Sequence, residues 1–551
     1  MMIRIFVLLV LAAAPLVHAA PAWDTAPLDE VAIQQGGRKK PLYVFAQDIT
    51  RTITGKTTVA GDGRSESAME FVTGFWLAPG AWLDRPVILV NHRPLKVETG
   101  LDPARKFFSY RELAQADRFT ALLSEAAEVR KRNGKPKGLV KEASDVGMRM
   151  AELEGLAKGS SFTVVPCVAP NLNVWLTVPQ AVAIGANPEL AASWNTLVSA
   201  AAQGTPPPLG EFASILHKMH ETAADVDFRR IEVETFYQKL HPLRWAWILY
   251  AAAAIVAGLT AWRGRKAGYI GAWILAGAGF LLQILGLVCR SYVAGRPPVT
   301  NMYESVVWVA FGTVLFALIF EAIYRCRTYL YGALPVAVVA LILADTQPLI
   351  LDRSINPLMP VLRDNFWLTT HVLSITLSYA AFALALGVGH VILGKVIVGG
   401  KPTPAIYNYL YRILQVGVLL LAVGTILGAV WANYSWGRFW DWDPKETWAL
   451  IALLGYLIVL HGRIAGVWGG FGLAVGSVLG FLSILMAWYG VNFVLGAGLH
   501  SYGFGSGGFP VVAAFCGLDI AFVAVAIFRY RFLKAKSASP VAGASKVGAT
   551  A

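Results

Sequence analysis

The second half of the chain alternates long apolar runs with short polar segments, whereas the first half has a mixed character. Each apolar run is close to the roughly 20 residues that a helix needs to cross a bilayer. The runs predict about nine transmembrane helices, at residues 244–262, 268–289, 304–324, 329–344, 367–393, 412–431, 447–464, 471–490 and 510–529. The expected fold is therefore an all-α polytopic membrane protein preceded by a different kind of domain.

The residues before the first apolar run show shorter and more varied periodicities. Helical patterns cover 110–131 and 139–158, and one further helix is predicted from about 211 to 239, leading directly into the membrane. Residues 162–177 are rich in Val and Trp, which indicates strands. We therefore expect a mainly helical, partly β domain that serves interaction or docking.

The first twenty residues have the pattern of a secretory signal. Arg4 precedes an apolar run from Ile5 to Val17, and small residues follow at Ala19 and Ala20. Cleavage of this segment and its retention as an anchor both remain open, but in either case the domain after it is exported. The expected division is a signal peptide at 1–20, an exported soluble domain at 21–240, a transmembrane domain at 241–535 and a cytoplasmic tail at 536–551.

The composition supports a membrane protein, with 56% hydrophobic and 15% charged residues. A net charge of +13 is compatible with nucleic-acid binding, but basic loops on one side of a membrane explain it more simply. The basic segments follow every second predicted helix, so they all lie on the same side of the membrane. They are at 263–266, 325–327, 395–412, 463 and 529–536. We therefore expect them to be cytoplasmic, the front domain to be external and nucleic acid not to be a partner.

Neither the cysteines nor the histidines of the front domain form a recognisable metal or redox motif. The four cysteines are scattered and include no C-x-x-C pair, so they predict no disulfide framework, zinc site or covalently attached heme. His217 and His220 are spaced i, i+3 and could face one ligand. We interpret them instead as solvated residues on a helix surface.

The most distinctive stretch is WANYSWGRFWDWDPKETW, at residues 431–448 between two predicted membrane helices. Asp443 is a candidate N-cap, Pro444 suits the first helical position and Glu446 would complete a capping box. An aromatic belt at the membrane surface could explain any single indole, but not the acids and Gly437 at fixed spacing. A shelf of indoles suits a large flat ligand with polar edges. The tryptophans are Trp431, Trp436, Trp440, Trp442 and Trp448.

This stretch resembles the tryptophan-rich "WWD" signature of heme-handling proteins, through Trp436-Gly437, Trp440, 442–446 and Trp448. The chain is most similar to the CcsA (ResC) family of system II cytochrome c biogenesis, which also occurs fused as CcsBA. The resemblance covers about 260–530 and hardly includes the front domain. It implies a bacterial inner-membrane protein that binds heme b, moves it to the external face and presents it for thioether attachment to the C-x-x-C-H of apocytochrome c.

The resemblance also assigns roles to histidines. His371 and His500 match the pair that ligates the iron of external heme. The other expected heme-binding residues form a platform beneath it, namely Trp431, Trp436, Gly437, Trp440, Trp442, Asp443 and Trp448. His461 matches a histidine that holds heme within the membrane together with a partner histidine. His390 matches no family motif, and each histidine alone could also be an ordinary interfacial residue.

The chain has no convincing counterpart for the partner histidine of the inner site. The resemblance therefore implies a separate CcsB/ResB-like membrane subunit, in addition to apocytochrome c, a thiol reductant system and membrane lipid. The chain would then be one component of a cytochrome c synthase complex. Two other classes remain open at this point, namely a small-molecule transporter and a heme-binding chaperone without attachment activity.

Overall fold

The computed structural model describes residues 23–60, 65–80, 82–134, 136–166, 174–223, 226–261, 266–347, 350–358, 362–496, 498–500 and 508–538. The chain divides into two compact units, residues 1–239 and 240–551. The predicted signal peptide and the last thirteen residues of the predicted cytoplasmic tail, 539–551, lie outside the described residues.

The front unit is mainly helical with short strands, as the sequence predicts. Its helices are α1 (Leu42–Thr54), α2 (Ala68–Leu77), α3 (Arg93–Glu98), α4 (Tyr110–Ala114), α5 (Asp117–Lys131), α6 (Gly138–Ala157), α7 (Val178–Ala183), α8 (Pro188–Ala202), α9 (Leu209–Glu221) and α10 (Phe228–Leu240). Antiparallel two-stranded sheets pair β1 (Ala32–Gln35) with β2 (Arg38–Pro41), β3 (Thr58–Ala60) with β4 (Ser65–Ser67), β5 (Ile88–Leu89) with β6 (Phe107–Phe108), and β7 (Thr163–Val165) with β8 (Leu176–Thr177). One apolar core, with Phe45, Phe71 and Phe162 fully buried, joins helices and strands.

Two helical predictions for the front unit are too long. The pattern over 110–131 is divided between α4 and α5, because α4 ends at Ala114 and a new helix begins at Asp117. The single helix predicted over 211–239 is likewise divided between α9 and α10. Asp227 accepts a hydrogen bond from the backbone N–H of Arg230 at 3.2 Å, which favours a helix start over continuation.

The interpretation of His220 as a solvated residue is wrong. Its side chain is fully buried, its Nε2 lies 2.7 Å from the carbonyl oxygen of Val164, and its ring stacks on Trp175. Burial lowers the pKa of His220 to about 4, so the ring is neutral at physiological pH. His220 therefore connects α9 to β7 as part of the core, and its ring centroid lies 6.3 Å from that of His217.

The second unit is a bundle of long apolar helices. Within the described residues, nine helices have the length and composition to cross a membrane, and they confirm the predicted polytopic fold. The span that begins at Phe228 is interrupted at His241, where φ is +49°. We number the helices of this unit α11 (Pro242–Ala261), α12 (Lys266–Ala294), α13 (Met302–Tyr324), α14 (Thr328–Thr346), α15 (Asn365–Ile397), α16 (Pro404–Trp436), α17 (Pro444–Ile464), α18 (Gly470–Leu495) and α19 (Phe509–Ala538).

Helix α15 occupies the centre of this bundle. It packs against α13, α14, α16, α18 and α19, and it is the most buried of the nine helices. Two helices change from α to π geometry, in which each turn holds one more residue. These π segments are Leu368–Val372 near the start of α15 and Met486–Leu495 at the end of α18. Such segments are rare and often accompany functional sites.

Candidate functional site

A cavity lies among the π segments of α15 and α18, the last turns of α16 and the first turns of α17. It brings together residues that are far apart in sequence, and its walls are mostly apolar and aromatic. The cavity has a volume of about 180 Å³ and is partly open. Its lining includes His371, His500, Trp431, Trp440, Lys445 and Trp488.

His371 is held in one tautomer by the neighbouring helix. Its Nδ1 lies 2.8 Å from the carbonyl oxygen of Gly424, which can only accept a hydrogen bond. Nδ1 therefore carries the proton and donates the hydrogen bond, which leaves the lone pair on Nε2. The two helices approach so closely here that a Cβ at Gly428 would lie only 2.5 Å from Cε1 of His371. Glycine at 428 thus leaves space for the imidazole.

His500 is oriented by a carboxylate instead of a carbonyl. Its Nδ1 donates to Oδ1 of Asp443 at 2.9 Å, so its lone pair is also on Nε2. The backbone N–H of Leu499 donates to Oδ2 of the same residue at 2.7 Å. A Cβ at Gly498 would lie 2.2 Å from that oxygen, and its φ of +92° suits glycine. The segment that carries His500 is therefore fastened to Asp443.

Asp443 has two tasks, one of which the sequence predicted. As expected, it caps α17, with Pro444 in the first turn and Glu446 completing the capping box. In addition, its carboxylate accepts hydrogen bonds from His500, Leu499 and the N–H of Lys445. Burial alone would raise the pKa of Asp443, but these bonds outweigh burial and lower it to about 2. Asp443 is therefore charged at any physiological pH.

The five predicted tryptophans do not form one continuous shelf. Trp431 and Trp440 line the cavity, and Trp431 contacts His371 edge-on at 5.7 Å between ring centroids. Trp436 lies against His500 at 5.0 Å and 88°. Trp442 is 68% exposed and packs edge-on against Trp440. Trp448 is outside the lining, and Gly437 ends α16 with a φ of +72°.

The charged residues beside the cavity are mostly paired with one another. Arg438 contacts Glu446 at 3.0 Å and Asp441 at 3.4 Å, and its guanidinium lies over the ring of Trp436. Lys445 projects from the first turn of α17 and is partly buried. Its ammonium group makes no hydrogen bond or ion pair with any residue that the structure describes.

A buried ion pair supports another wall of the cavity. Arg290 of α12 contacts Glu304 of α13 at 2.7 Å, and both side chains are almost fully buried. Glu304 also accepts from the N–H and hydroxyl of Thr300, which lines the cavity. Arg290 donates to the carbonyl oxygen of Arg353 at 2.8 Å. The pair thus fixes the loop between α12 and α13.

The remaining predicted ligand, His461, lies away from this cavity. It is near the end of α17 opposite Lys445, its ring is exposed, and Nδ1 donates to the carbonyl oxygen of Leu457 at 2.8 Å. His390 lies in a second, apolar cavity of about 750 Å³ between α13, α14, α15, α18 and α19. Both of its ring nitrogens have partners, Leu386 and Asp519, so neither offers a lone pair for a metal.

Three further cavity residues were not predicted from the sequence. Trp488 lines the cavity and donates from Nε1 to the hydroxyl of Ser305 at 2.8 Å. Asn492 lies one turn further along the same π segment, and Lys445 was recognised only as part of the motif. Trp488 is one of several aromatic residues in this apolar run, so its residue type alone gave no signal. Two polar residues four positions apart in that run could have indicated a lining face.

The arrangement suits a planar metal complex better than a bare ion. Two imidazoles with lone pairs on Nε2 line one cavity, and each is oriented by a hydrogen bond through Nδ1. Among the described residues, no group of three or more His, Cys, Asp or Glu could hold a metal ion by itself. A porphyrin supplies four ligands of its own, needs only two axial ones and packs against indoles. The residues present therefore fit heme.

The comparisons with known proteins show similarity over the part of the chain that contains the cavity. A family described as "Cytochrome C assembly protein" matches residues 299–500, which contain the whole cavity. The "Cytochrome c biogenesis protein CcsA" of Chlamydomonas reinhardtii is 36% identical over 245 residues, covering 42% of this chain and 68% of that protein. The protein of the same name from Prochlorococcus marinus is 36% identical over 286 residues, covering 42% of this chain and 88% of that protein.

"Protein NrfI" of Wolinella succinogenes extends the similarity beyond the membrane unit. It is 28% identical over 500 residues, which cover 85% of this chain, so part of the front unit is included. The similarity to NrfI therefore extends further along the chain than the CcsA matches, which cover 42% of it. This chain spans 53% of NrfI, about half its length. On the CcsA matches above, the chain belongs to the CcsA family of cytochrome c biogenesis proteins.

Proposed function

We propose that this protein binds heme b between His371 and His500 and presents it for thioether attachment to the C-x-x-C-H motif of apocytochrome c. The observation that carries the proposal is the pair of imidazoles in one aromatic cavity, each with its Nδ1 proton committed to a hydrogen bond. Because the cavity volume of about 180 Å³ is below the roughly 300–1,000 Å³ typical of ligand pockets, a bound porphyrin would extend beyond the cavity.

In this proposal, the chain's own residues hold and orient the heme. The attachment reaction then needs no acid–base pair from the protein. The vinyl groups of heme and the thiols of the apocytochrome supply the reacting atoms. His371 and His500 would hold the iron, and Trp431 and Trp440 would pack against the porphyrin. Holding a vinyl edge beside an incoming thiol favours the addition through proximity. Asp441, Asp443 and Glu446 act in this proposal as caps and anchors of the loop.

We place the protein in the bacterial inner membrane, with the front unit and the cavity on the external side. The support is the alternation of basic segments along the sequence, which puts 325–327, 395–412 and 529–536 on the cytoplasmic side. The same alternation places the loop after α16 outside. The transmembrane domain at 241–535 then handles heme, while the exported domain at 21–240 serves docking.

A CcsB/ResB-like membrane subunit is the proposed partner for an inner heme site. His461 is exposed on α17, and its Nδ1–H donates to the carbonyl oxygen of Leu457, so this hydrogen bond does not use its Nε2 lone pair. One imidazole is a weak anchor for heme, which implies a second ligand from the partner. A thiol reductant system would keep the apocytochrome cysteines reduced, and membrane lipid surrounds the helices.

Absorption spectroscopy of the purified full chain tests the proposal directly. We expect a Soret band and a bis-histidine spectrum in the reduced state. A colourless protein that still binds another small molecule would support a transporter. In cells, deletion is expected to abolish heme-stained c-type cytochromes while leaving their apoproteins present. Normal c-type cytochromes after deletion would support a heme chaperone without attachment activity and would contradict our proposal.

His461→Ala should lower heme at both the inner and the outer site when the partner subunit is present. The reason is that heme arriving from the cytoplasmic side reaches the outer cavity through the inner site. By contrast, His371→Ala should leave heme at the inner site. The measurement is heme content of the co-purified complex, with His217→Ala as a control in the front unit. Full outer occupancy in His461→Ala would show that the outer site fills independently.

A further inference from the structure

We infer that Lys445 binds a propionate carboxylate of the heme and thereby sets which way round the porphyrin enters the cavity. This inference rests on the proposed function, because it concerns the same cavity. It adds an anion-binding position to a site otherwise composed of two imidazoles and aromatic walls. The ligand class is specific: a porphyrin that carries ionised carboxylates, as opposed to a neutral porphyrin of the same shape.

Lys445 shares the cavity with both histidines but has no counter-charge in contact. Among the described residues, its ammonium group forms no hydrogen bond and no ion pair within 4.0 Å, although Asp443 and Glu446 are close in sequence. The carboxylate of Asp443 is occupied by His500 and by two backbone N–H groups. That of Glu446 is occupied by Arg438 and by the N–H of Asp441.

Neighbouring segments outside the described residues also lack a possible counter-charge. Residues 501–507 directly follow His500 and read SYGFGSG, and residues 359–361 read MPV. Neither segment contains an acidic side chain. The missing anion is therefore expected to arrive with the ligand.

Electrostatics favours an anion at this position. A partly buried ammonium group without an ion-pair partner is costly, and a carboxylate brought by the ligand removes that cost. Asp443 already caps the N-terminus of α17, so the anion would be attracted by Lys445 and not by the helix end. Arg438 is the other cation nearby, but Glu446 and Asp441 already hold it.

The position of Lys445 fixes an orientation as well as an affinity. The two propionates of heme lie on one edge of the ring and the two vinyl groups lie elsewhere on its periphery. A carboxylate drawn to Lys445 on α17 therefore turns the vinyl groups away from that helix. Without this contact, the two imidazoles alone allow the ring to rotate about the axis through the iron.

The test compares two ligands that differ only in charge. Heme and iron protoporphyrin IX dimethyl ester are titrated into the full-length protein after heme removal, using wild type, Lys445→Met and Lys445→Arg. Lys395→Met, in the last turn of α15, is the matched control. For Lys445→Met we expect heme to bind about tenfold more weakly, a loss typical of a charge-assisted hydrogen bond. Binding of the ester should stay within about twofold of wild type, and Lys445→Arg should recover most of the heme affinity.

Each outcome has a distinct meaning. Equal losses for heme and ester in Lys445→Met would show that Lys445 supports the fold, and would overturn the inference. Unchanged heme binding in that variant would overturn it as well. A wild-type protein that gives no bis-histidine spectrum with either ligand would overturn the proposed function itself. Resonance Raman bands of the propionate groups should shift in Lys445→Met only, which provides a readout independent of affinity.

Discussion

Replacing His371 or His500 with alanine is expected to convert a six-coordinate bis-histidine heme into a five-coordinate one and to lower heme retention by more than about 100-fold. The reason is that second-shell changes already cost about 10- to 100-fold in metal affinity, and loss of a direct ligand exceeds this. Added imidazole should restore the spectrum in both variants, since each truncation leaves a space shaped for that ring.

Optical and magnetic spectra of the purified variants check this expectation, with His217→Ala as the control. His217 lies on α9 in the front unit, so its loss should leave the heme spectrum unchanged. Six-coordinate spectra in both His371→Ala and His500→Ala would contradict the assignment of the axial pair. A change in only one of them would mean that the other iron ligand is a different residue.

Asp443→Ala should have the second-largest effect, because one carboxylate connects the helix cap to an axial histidine. Loss of an N-cap costs about 1 kcal/mol of stability. The larger consequence is that His500 and Leu499 lose their acceptor, so heme affinity should fall about 10- to 100-fold. Asp443→Asn should fall between wild type and Ala, since an amide oxygen still accepts from one donor but its NH₂ group faces another donor.

Heme titration and thermal unfolding of these variants provide the measurement, with Asp441→Asn as the matched control. Asp441 is on the same loop, but its side chain is 67% exposed and its only ion pair is with Arg438, so its loss should cost little.

The pKa of Asp443 is lowered, so the contribution of its carboxylate to stability is complete above the usual carboxyl pKa and is lost as pH falls through about 2. Between about pH 5 and pH 8, heme retention should therefore not follow Asp443. A loss of heme between pH 5 and pH 8 that occurs in the wild type and disappears in Asp443→Asn would contradict this role.

Sequence periodicity predicted the membrane unit well because apolar run length is set directly by bilayer thickness. All nine predicted runs overlap helices of the described structure. The front unit was harder, because helix breaks such as those after Ala114 and Glu221 depend on local capping, which periodicity averages out. His220 was misjudged for a related reason, since its burial depends on contact with Trp175 and β7, which are distant in sequence.

The candidate site was predictable where its residues are contiguous. Asp443, Pro444 and Glu446 form the expected cap because capping is local. Trp488, Asn492 and Ser305 enter the cavity from helices whose sequence gives no motif, and only three-dimensional packing brings them together. The second function of Asp443 could not be predicted either, because it depends on a loop that returns to this carboxylate from 56 positions further along the chain, at Leu499.

The π segments explain how one bundle can satisfy two different geometric demands. Leu368–Val372 carries His371 and Met486–Leu495 carries Trp488, so the cavity is flanked by two places where a turn contains an extra residue. An extra residue shifts the angular phase of everything beyond it by about 100° relative to a continuous α-helix, since each residue of such a helix advances by that angle. The α-helical parts of these helices, Leu373–Ile397 in α15 and Gly470–Leu485 in α18, can therefore keep the facing pattern that close packing requires. Their ends follow a separate phase that suits the ligand, and the site can change by single-residue insertion or deletion without repacking the membrane core.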